Sequence, residues 1–358
     1  MTKVADWLNQ RMADTQLMML LASLFGIFTL VWLLGDVLAP VLFAIALAYV
    51  LDGIVQLLVH LRVPRLLAVI LVCLGALLIV LFTMLAVLPL LTEQIIRLVQ
   101  HIPQYIISLR TFLHEMQTNY ADWINPEYLQ QATASLSAKT QEWGGAIVSM
   151  SLSSISNIIA LLVYAVLVPV LVFFLLKDKE NILEWGKSFL PRERSLLGRV
   201  WRELDMQIGN YIRGRFWESF MVGFVMWLTY LMMGHEYALL LGVLTGVSVW
   251  IPFVGAAVVA LPVLLLSFFQ WGITDMTFYA VLAYAVIQLI DANVVIPWLF
   301  SEVVNLHPIA IIVAVLFFGS LWGILGVFIA IPMAALVQSV LIIIAERPGP
   351  RHKVRDCE

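Results

Sequence analysis

Eight long apolar runs divide this chain of 358 residues. An α-helix needs about 20 apolar residues to cross a hydrocarbon layer of about 30 Å, and most of the runs reach that length. Hydrophobic residues make up 62% of the chain, against about 45–50% in soluble domains. The sequence therefore predicts an all-α, polytopic integral membrane protein with about eight transmembrane helices. The runs lie at 16–34, 37–59, 66–91, 147–176, 208–233, 238–268, 277–300 and 309–345.

The basic residues predict the orientation, because cytoplasmic segments keep Lys and Arg near the span ends. Of the 20 Lys and Arg, all but Arg97, Arg110 and Lys139 fall on one side of an eight-span arrangement. This distribution predicts that both termini are cytoplasmic. Whether the segments 238–268 and 309–345 cross fully or re-enter stays open, because Gly and Pro interrupt both.

Two polar segments separate the runs. The outer one, 92–146, predicts a small helical extracytoplasmic domain whose apolar stripe packs on a neighbouring helix or the membrane surface, or contacts a partner. The inner one, 177–207, predicts amphipathic helices that set the topology and anchor the surface, or bind anionic headgroups. The predicted divisions are three spans (1–91), the outer domain (92–146), a fourth span (147–176), the inner helices (177–207), a transport core with broken helices (208–345) and a cytoplasmic tail (346–358).

No sequence pattern indicates an enzyme. The segment Asn181–Ser188 lacks the first glycine of a phosphate-binding loop. The six histidines show no HExxH or i,i+4 pairing, and the two cysteines have no CxxC spacing. We therefore expect no metal, no ATP or prosthetic cofactor and no nucleic-acid partner.

The candidate ion or substrate pathway lies in the run 277–300. Asp291 is costly at a helix centre, by about 2.5–3.5 kcal/mol, so we expect it to face a bundle interior or a water-filled cavity. Tyr284 and Gln288 share its helical face, and Pro297 has no N–H for the carbonyl of Asn293. This set suits a cation, a proton or a polar solute. Asp291 could instead be structural, hydrogen-bonded to a neighbouring helix.

The fifth run carries a second acid, Glu218, one turn from Arg213 and Arg215. An i,i+3 ion pair with Arg215 is one interpretation, and a cytoplasmic gate formed by all three residues is the other. Glycine and proline predict helix breaks or gating points, with close packing through the Gly319–Gly323 pair as the competing explanation. The break positions are Pro252, Gly255, Gly319, Gly323, Gly326 and Pro332.

Five segments resemble the autoinducer-2 exporter (AI-2E) family of bacterial permeases, and in particular its PerM-type branch. They begin at Pro169 (PVLVFFLLKD), Asn210 (NYIRGR), Ile251 (IPFVG), Gln288 (QLIDAN, with Pro297) and Asn305 (NLHP). The resemblance implies an inner-membrane permease of about eight helices that exports a quorum-sensing signal or exchanges sodium for protons. It also implies a homo-oligomer, with a pentamer as one candidate. The chain departs from the family at Asp52-Gly53, where Asn-Pro is common, and at Ala292.

These observations favour a transporter of a small polar molecule or monovalent cation, with Asp291 as the coupling carboxylate. The alternative is a membrane scaffold that stabilises envelope or division complexes through residues 92–146 and the inner amphipathic helix. A lipid-translocating protein is a third hypothesis.

Overall fold

The computed structural model describes residues 15–119, 154–188, 195–252, 254–300 and 307–346. These residues form helices and turns, and no strand occurs among them. This confirms the predicted all-α class. The helices are α1 (Thr15–His60), α2 (Arg65–Phe82), α3 (Leu88–Asn119), α4 (Ser154–Lys177), α5 (Lys179–Ser188), α6 (Ser195–Met232), α7 (Ala238–Ser248), α8 (Val254–Trp271), α9 (Asp275–Ile290), α10 (Ile296–Phe300) and α11 (Pro308–Glu346), with π turns at Thr83–Val87 and Asp291–Val295.

Four helical stretches of the described chain are long and apolar enough to cross a membrane, namely Leu38–His60, Arg65–Leu109, Val254–Trp271 and Asp275–Phe300. Much of their surface is exposed within the single chain; Leu85, for example, is 78% exposed. An apolar surface of this extent is stable only in lipid or against other apolar surfaces. The chain is therefore a multi-pass α-helical membrane protein.

The chain divides into two compact units. The first unit comprises Met1–Val72, Val170–Trp217 and Ile296–Glu358, and the second comprises Cys73–Pro169 and Glu218–Val295. The core of the second unit contains Met226, Tyr230, Leu241, Val263 and Tyr284, which come from α6, α7, α8 and α9. In the first unit, Ala314, Phe318 and Ala330 form a core within α11. The helices α1 and α11 also contact each other in this unit.

The outer polar segment begins as a direct continuation of the third span. Only the π turn Thr83–Val87 separates α2 from α3, which continues to Asn119. The apolar stripe predicted on α3 contacts the end of α8, where Tyr105 stacks on Phe269 with ring centroids 4.4 Å apart and Phe112 meets Phe268 at 5.2 Å. The second part of the predicted outer domain lies outside the described residues.

Candidate functional site

Asp291 lies at the start of the π turn that follows α9, and its side chain is only 7% exposed. The two residues before it, Leu289 and Ile290, are 63% and 50% exposed. The turn thus directs the carboxylate into protein while its apolar neighbours face outward, as expected for an acid within a membrane span. The π turn itself was not predicted from sequence, and such turns recur at functional sites.

Tyr284 and Gln288 precede Asp291 on the same side of α9. The Tyr284 hydroxyl donates to the carbonyl of Ala256 in α8 at 2.5 Å, and Gln288 Nε2 donates to the Tyr284 hydroxyl at 3.1 Å. Tyr284 is also buried, at 7% exposure. These two side chains therefore tie α9 to the first turn of α8 and form a polar column that leads to Asp291.

Asn293 and Pro297 do not join this buried column. Both are exposed, and Asn293 Nδ2 donates to the carbonyl of Leu289 on its own helix at 2.8 Å. Positions two residues apart on a helix do not share a face, which explains why Asn293 turns away from Asp291. The candidate site accordingly reduces to Tyr284, Gln288 and Asp291.

The run 238–268 is a helical hairpin, here called the first hairpin (residues 238–271). Pro252 lies in the turn between α7 and α8, where its carbonyl accepts from Val254 N at 2.7 Å. Gly255 is buried behind it, and a Cβ at this position would lie 1.8 Å from the carbonyl oxygen of Ser248. Only glycine fits where the two backbones approach so closely. Pro252 lies between the two helices, whereas Gly255 lies within the first turn of α8.

The two ends of the first hairpin meet. Gln270 Nε2 donates to the carbonyl of Gly234 at 2.9 Å, and Gln270 Oε1 accepts from Glu236 N at 3.0 Å. The helix α7 has 11 residues, which gives about 16 Å at 1.5 Å per residue and is too short to cross about 30 Å of hydrocarbon. The segment therefore returns to the side from which it starts.

Three glycines that sequence reasoning missed bring α6 and α7 together. A Cβ on Gly242 would lie 2.6 Å from Trp227 Cβ, and one on Gly246 would lie 2.7 Å from the carbonyl of Ser219. The Ser219 hydroxyl donates to the Gly246 carbonyl at 2.6 Å. The spacing Gly242–Gly246, with Gly223 opposite, is the small-residue pattern that permits close helix crossing, and this pattern could have been found in the sequence.

The run 309–345 also reverses. Gly323 interrupts α11 with φ 59° and ψ −135°, and a Cβ on Gly326 would lie 1.8 Å from the carbonyl of Phe318. Gly319 is less tightly placed, because its Cβ would lie 3.1 Å from Val327 Cγ2. We call residues 308–346 the second hairpin. Pro332 is not a break, since the second arm continues through it to Glu346.

Arg215 belongs to an aromatic clamp in the first unit. Its guanidinium carbon lies 5.1 Å from the ring centroid of Phe300 and 5.6 Å from that of Tyr211, within the range of cation–π attraction. A Cβ on Gly214 would come 2.7 Å from Phe300 Cε1. The segment NYIRGR at 210–215 thus leaves space for the Phe300 ring at the end of α10 and contacts it through Tyr211 and Arg215.

Arg213 belongs to a different contact in the same unit and donates to Asn210 Oδ1 at 2.8 Å. Glu218 is 1% exposed. Its ion pair with Arg215 and a gate of Arg213, Arg215 and Glu218 both remain predictions.

The structure contains a polar cluster that was not predicted from the sequence, here called the inner polar cluster. It is formed by Tyr49, Asp52, Gln56, Lys179 and Asp205. Lys179 Nζ and Gln56 Nε2 contact Asp52 Oδ2 at 3.0 and 2.9 Å, and Tyr49 donates to Asp205 Oδ1 at 2.5 Å. These contacts join α1 to α5 and α6 within the first unit. The residues of the inner polar cluster lie far apart in the sequence. The departure from the family pattern at Asp52 was the one feature of the sequence that pointed to the cluster.

The described residues include no group of three or more His, Cys, Asp or Glu side chains that could hold a metal ion. A buried carboxylate beside a polar column, together with two interrupted apolar segments, is the arrangement found in membrane transport proteins.

The family model described as "AI-2E family transporter" matches residues 17–346. The chain belongs to this family of transport proteins. It is 39% identical to the protein named "Putative permease PerM" from Escherichia coli strain K12 over 94% of this chain and 95% of that one. It is 22% identical to "AI-2 transport protein TqsA" from the same strain, over 86% of each chain. These matches confirm the family resemblance drawn from the five segments.

Proposed function

We propose that this protein is a bacterial inner-membrane permease that exports a small polar solute or exchanges monovalent cations for protons, with Asp291 as the coupling group. The observation that carries the proposal is the burial of the Asp291 carboxylate within an otherwise apolar, outward-facing segment. Such an acid is maintained at a cost, and it can bind a cation or take up a proton without a cofactor. The name of TqsA supports a small polar solute such as autoinducer-2.

Tyr284 and Gln288 would position this site. Their hydrogen bonds fix α9 against Ala256, one residue beyond the tight contact at Gly255. A rearrangement of the first hairpin would therefore shift the polar column of Tyr284 and Gln288 that leads to Asp291. Interrupted apolar segments are typical of secondary transporters, where they line the binding site, and this chain has two of them in its C-terminal half.

The reversal of both hairpins supports cytoplasmic termini. If the first hairpin starts and ends outside, α9 runs inward and Phe300 reaches the cytoplasmic surface. Phe300 contacts Tyr211 and Arg215, which belong to the basic segment that is expected on that side. Two returning segments leave an even number of crossings among the eight predicted runs, which supports both ends lying on the same side of the membrane.

The test is flux in liposomes that contain the purified protein and a pH-sensitive dye. We expect Na⁺ or K⁺ gradients to drive proton movement, and Asp291→Asn to abolish it. Asp275→Asn is the matched control, because Asp275 lies at the exposed start of the same helix, and its flux should match the wild type.

Equal flux in wild type and Asp291→Asn would rule out a coupling role for this carboxylate. If no ion gradient drives proton movement, export of radiolabelled autoinducer-2 tests the other branch. Failure of both assays in correctly assembled protein would favour the scaffold hypothesis.

A further inference from the structure

The short helix α5 is tethered by its polar side chains to the ends of two spans. Lys179 bonds Asp52, which lies two turns before α1 ends at His60. Glu180 Oε1 accepts from Arg65 Nη1, at the first residue of α2, at 2.8 Å. The helix also follows α4 after a single residue, Asp178. Three connections thus hold α5 at the level where α1 ends, α2 begins and α4 ends.

Apolar side chains remain exposed at this level. Leu57 near the end of α1 is 62% exposed, Leu61 in the following turn is 68% exposed, and Leu66 at the start of α2 is 51% exposed. Because these residues belong to, or adjoin, the spans Leu38–His60 and Arg65–Leu109, they mark a boundary that lipid still reaches. The tethers to Asp52 and Arg65 place α5 at the same level as these exposed residues.

An apolar face exists on α5. Trp185 is 68% exposed and Ile182 is 40% exposed, and their spacing of three residues places them on one side of the helix. Glu184 lies two residues from Ile182, which is about 200° around the helix axis. The helix is therefore amphipathic, with the tryptophan at the apolar edge.

We propose that α5 docks in the headgroup layer of the membrane through Ile182 and Trp185. Tryptophan is favoured at the lipid–water boundary because its ring is amphipathic, and short amphipathic helices lie in that layer with the apolar face towards the acyl chains. The occupant is lipid because the tethers hold α5 at the ends of spans whose apolar side chains are exposed. This inference is independent of which solute the protein transports.

Spin labels can test this placement in the full-length protein in liposomes. In a background with Cys73→Ala and Cys357→Ser, single variants Ile182→Cys, Trp185→Cys and Glu184→Cys would each carry a nitroxide. We expect the ratio of oxygen to water-soluble nickel-complex collisions to be several-fold higher at 182 and 185 than at 184. Since all three side chains are exposed, none of the substitutions removes a core contact.

Two outcomes would overturn the proposal. Equal access of the nickel complex to all three labels would place the Ile182 face in water. Shielding of 182 and 185 from both oxygen and nickel would show that protein covers the face, as in a contact with a second copy. A matching assay with a membrane-impermeant maleimide, slow at 182 and fast at 184, makes the result independent of label mobility.

Discussion

The two hairpins begin in the same way although they belong to different units. Each starts after a histidine, His235 or His307, whose Nδ1 accepts the N–H two residues later, at 3.1 and 3.3 Å. The histidine carbonyl accepts the N–H three residues later, at 3.2 and 2.8 Å. In both hairpins a glycine shortly after the turn, Gly255 or Gly326, has a Cβ position that would collide with a carbonyl of the first arm. One local design therefore occurs twice in the chain, as in transporters that are built from repeats.

The turns themselves differ. The turn of the first hairpin includes residues 249–252. Within α7, the Thr245 hydroxyl donates to Leu241 O and the Ser248 hydroxyl donates to Thr245 O, each at 2.7 Å. The second reverses at Gly323 alone, in a conformation with positive φ. A turn that is spread over several residues distributes the backbone strain, whereas a single-residue turn depends on one glycine.

The largest expected effect is common to both hairpins. Gly255→Ala and Gly326→Ala each place a methyl group 1.8 Å from a backbone oxygen, which the arms can relieve only by separating. We expect each change to lower the free energy of unfolding by about 3 kcal/mol, the upper range for overpacking. Thermal unfolding of the purified protein in detergent would measure the loss.

Gly75→Ala is the control for these variants, because nothing lies within 4 Å of its added methyl group. A helical Gly→Ala change there should raise stability by about 0.5–1 kcal/mol. If Gly255→Ala or Gly326→Ala alters the free energy of unfolding no more than Gly75→Ala does, this result contradicts the close contact at that hairpin.

The second prediction separates the two hairpins. Gly323→Ala forces an L-residue into a backbone region reserved for glycine and should cost about 1–3 kcal/mol. Pro252→Ala, in the longer turn of the first hairpin, changes mainly the freedom of the unfolded chain and should cost about 1 kcal/mol or less. Equal losses of stability for the two variants in the same thermal unfolding assay would mean that the two turns do not differ in their contribution to the free energy of unfolding.

Composition and helix period were enough to predict part of the fold and of the site. The apolar excess implied the membrane class, and the cost of a carboxylate in a span implied the burial of Asp291. The breaks at Pro252 and Gly323 were predicted because glycine and proline free backbone groups. These inferences needed no knowledge of which segments are neighbours.

The remainder depends on contacts between distant segments. The clamp of Phe300 by Arg215 and the pair Asp52–Lys179 join residues far apart in sequence, and no periodicity encodes them. The π turn at Asp291 was missed because a sequence read with a period of 3.6 assumes a regular helix. The outward direction of Asn293 was predictable from its spacing to Asp291, but Asn293 was grouped with it because Pro297 leaves the Asn293 carbonyl without an N–H donor.

The smallest expected effect is a pH dependence confined to the first hairpin. His235, in the connection before α7, is 4% exposed, and burial lowers its pKa to about 4. Because the ordinary pKa is about 6.5, the neutral ring stabilises the folded state fully above that pH, and this stability is lost as the pH falls from about 6.5 through 4. Protonated Nδ1 would also no longer accept its N–H.

Hydrogen exchange at residues 236–240 and 308–312, compared at pH 7.5 and pH 5 after correction for the intrinsic rate, measures this difference. Protection should fall at the first segment and change less at the second, which begins after the exposed His307. His235→Asn is the matched variant, because the asparagine side-chain oxygen can accept the N–H two residues later without titrating, and it should remove the pH effect. A fall that persists in His235→Asn would assign the pH dependence to another group, and the burial of His235 would then not distinguish the two hairpins.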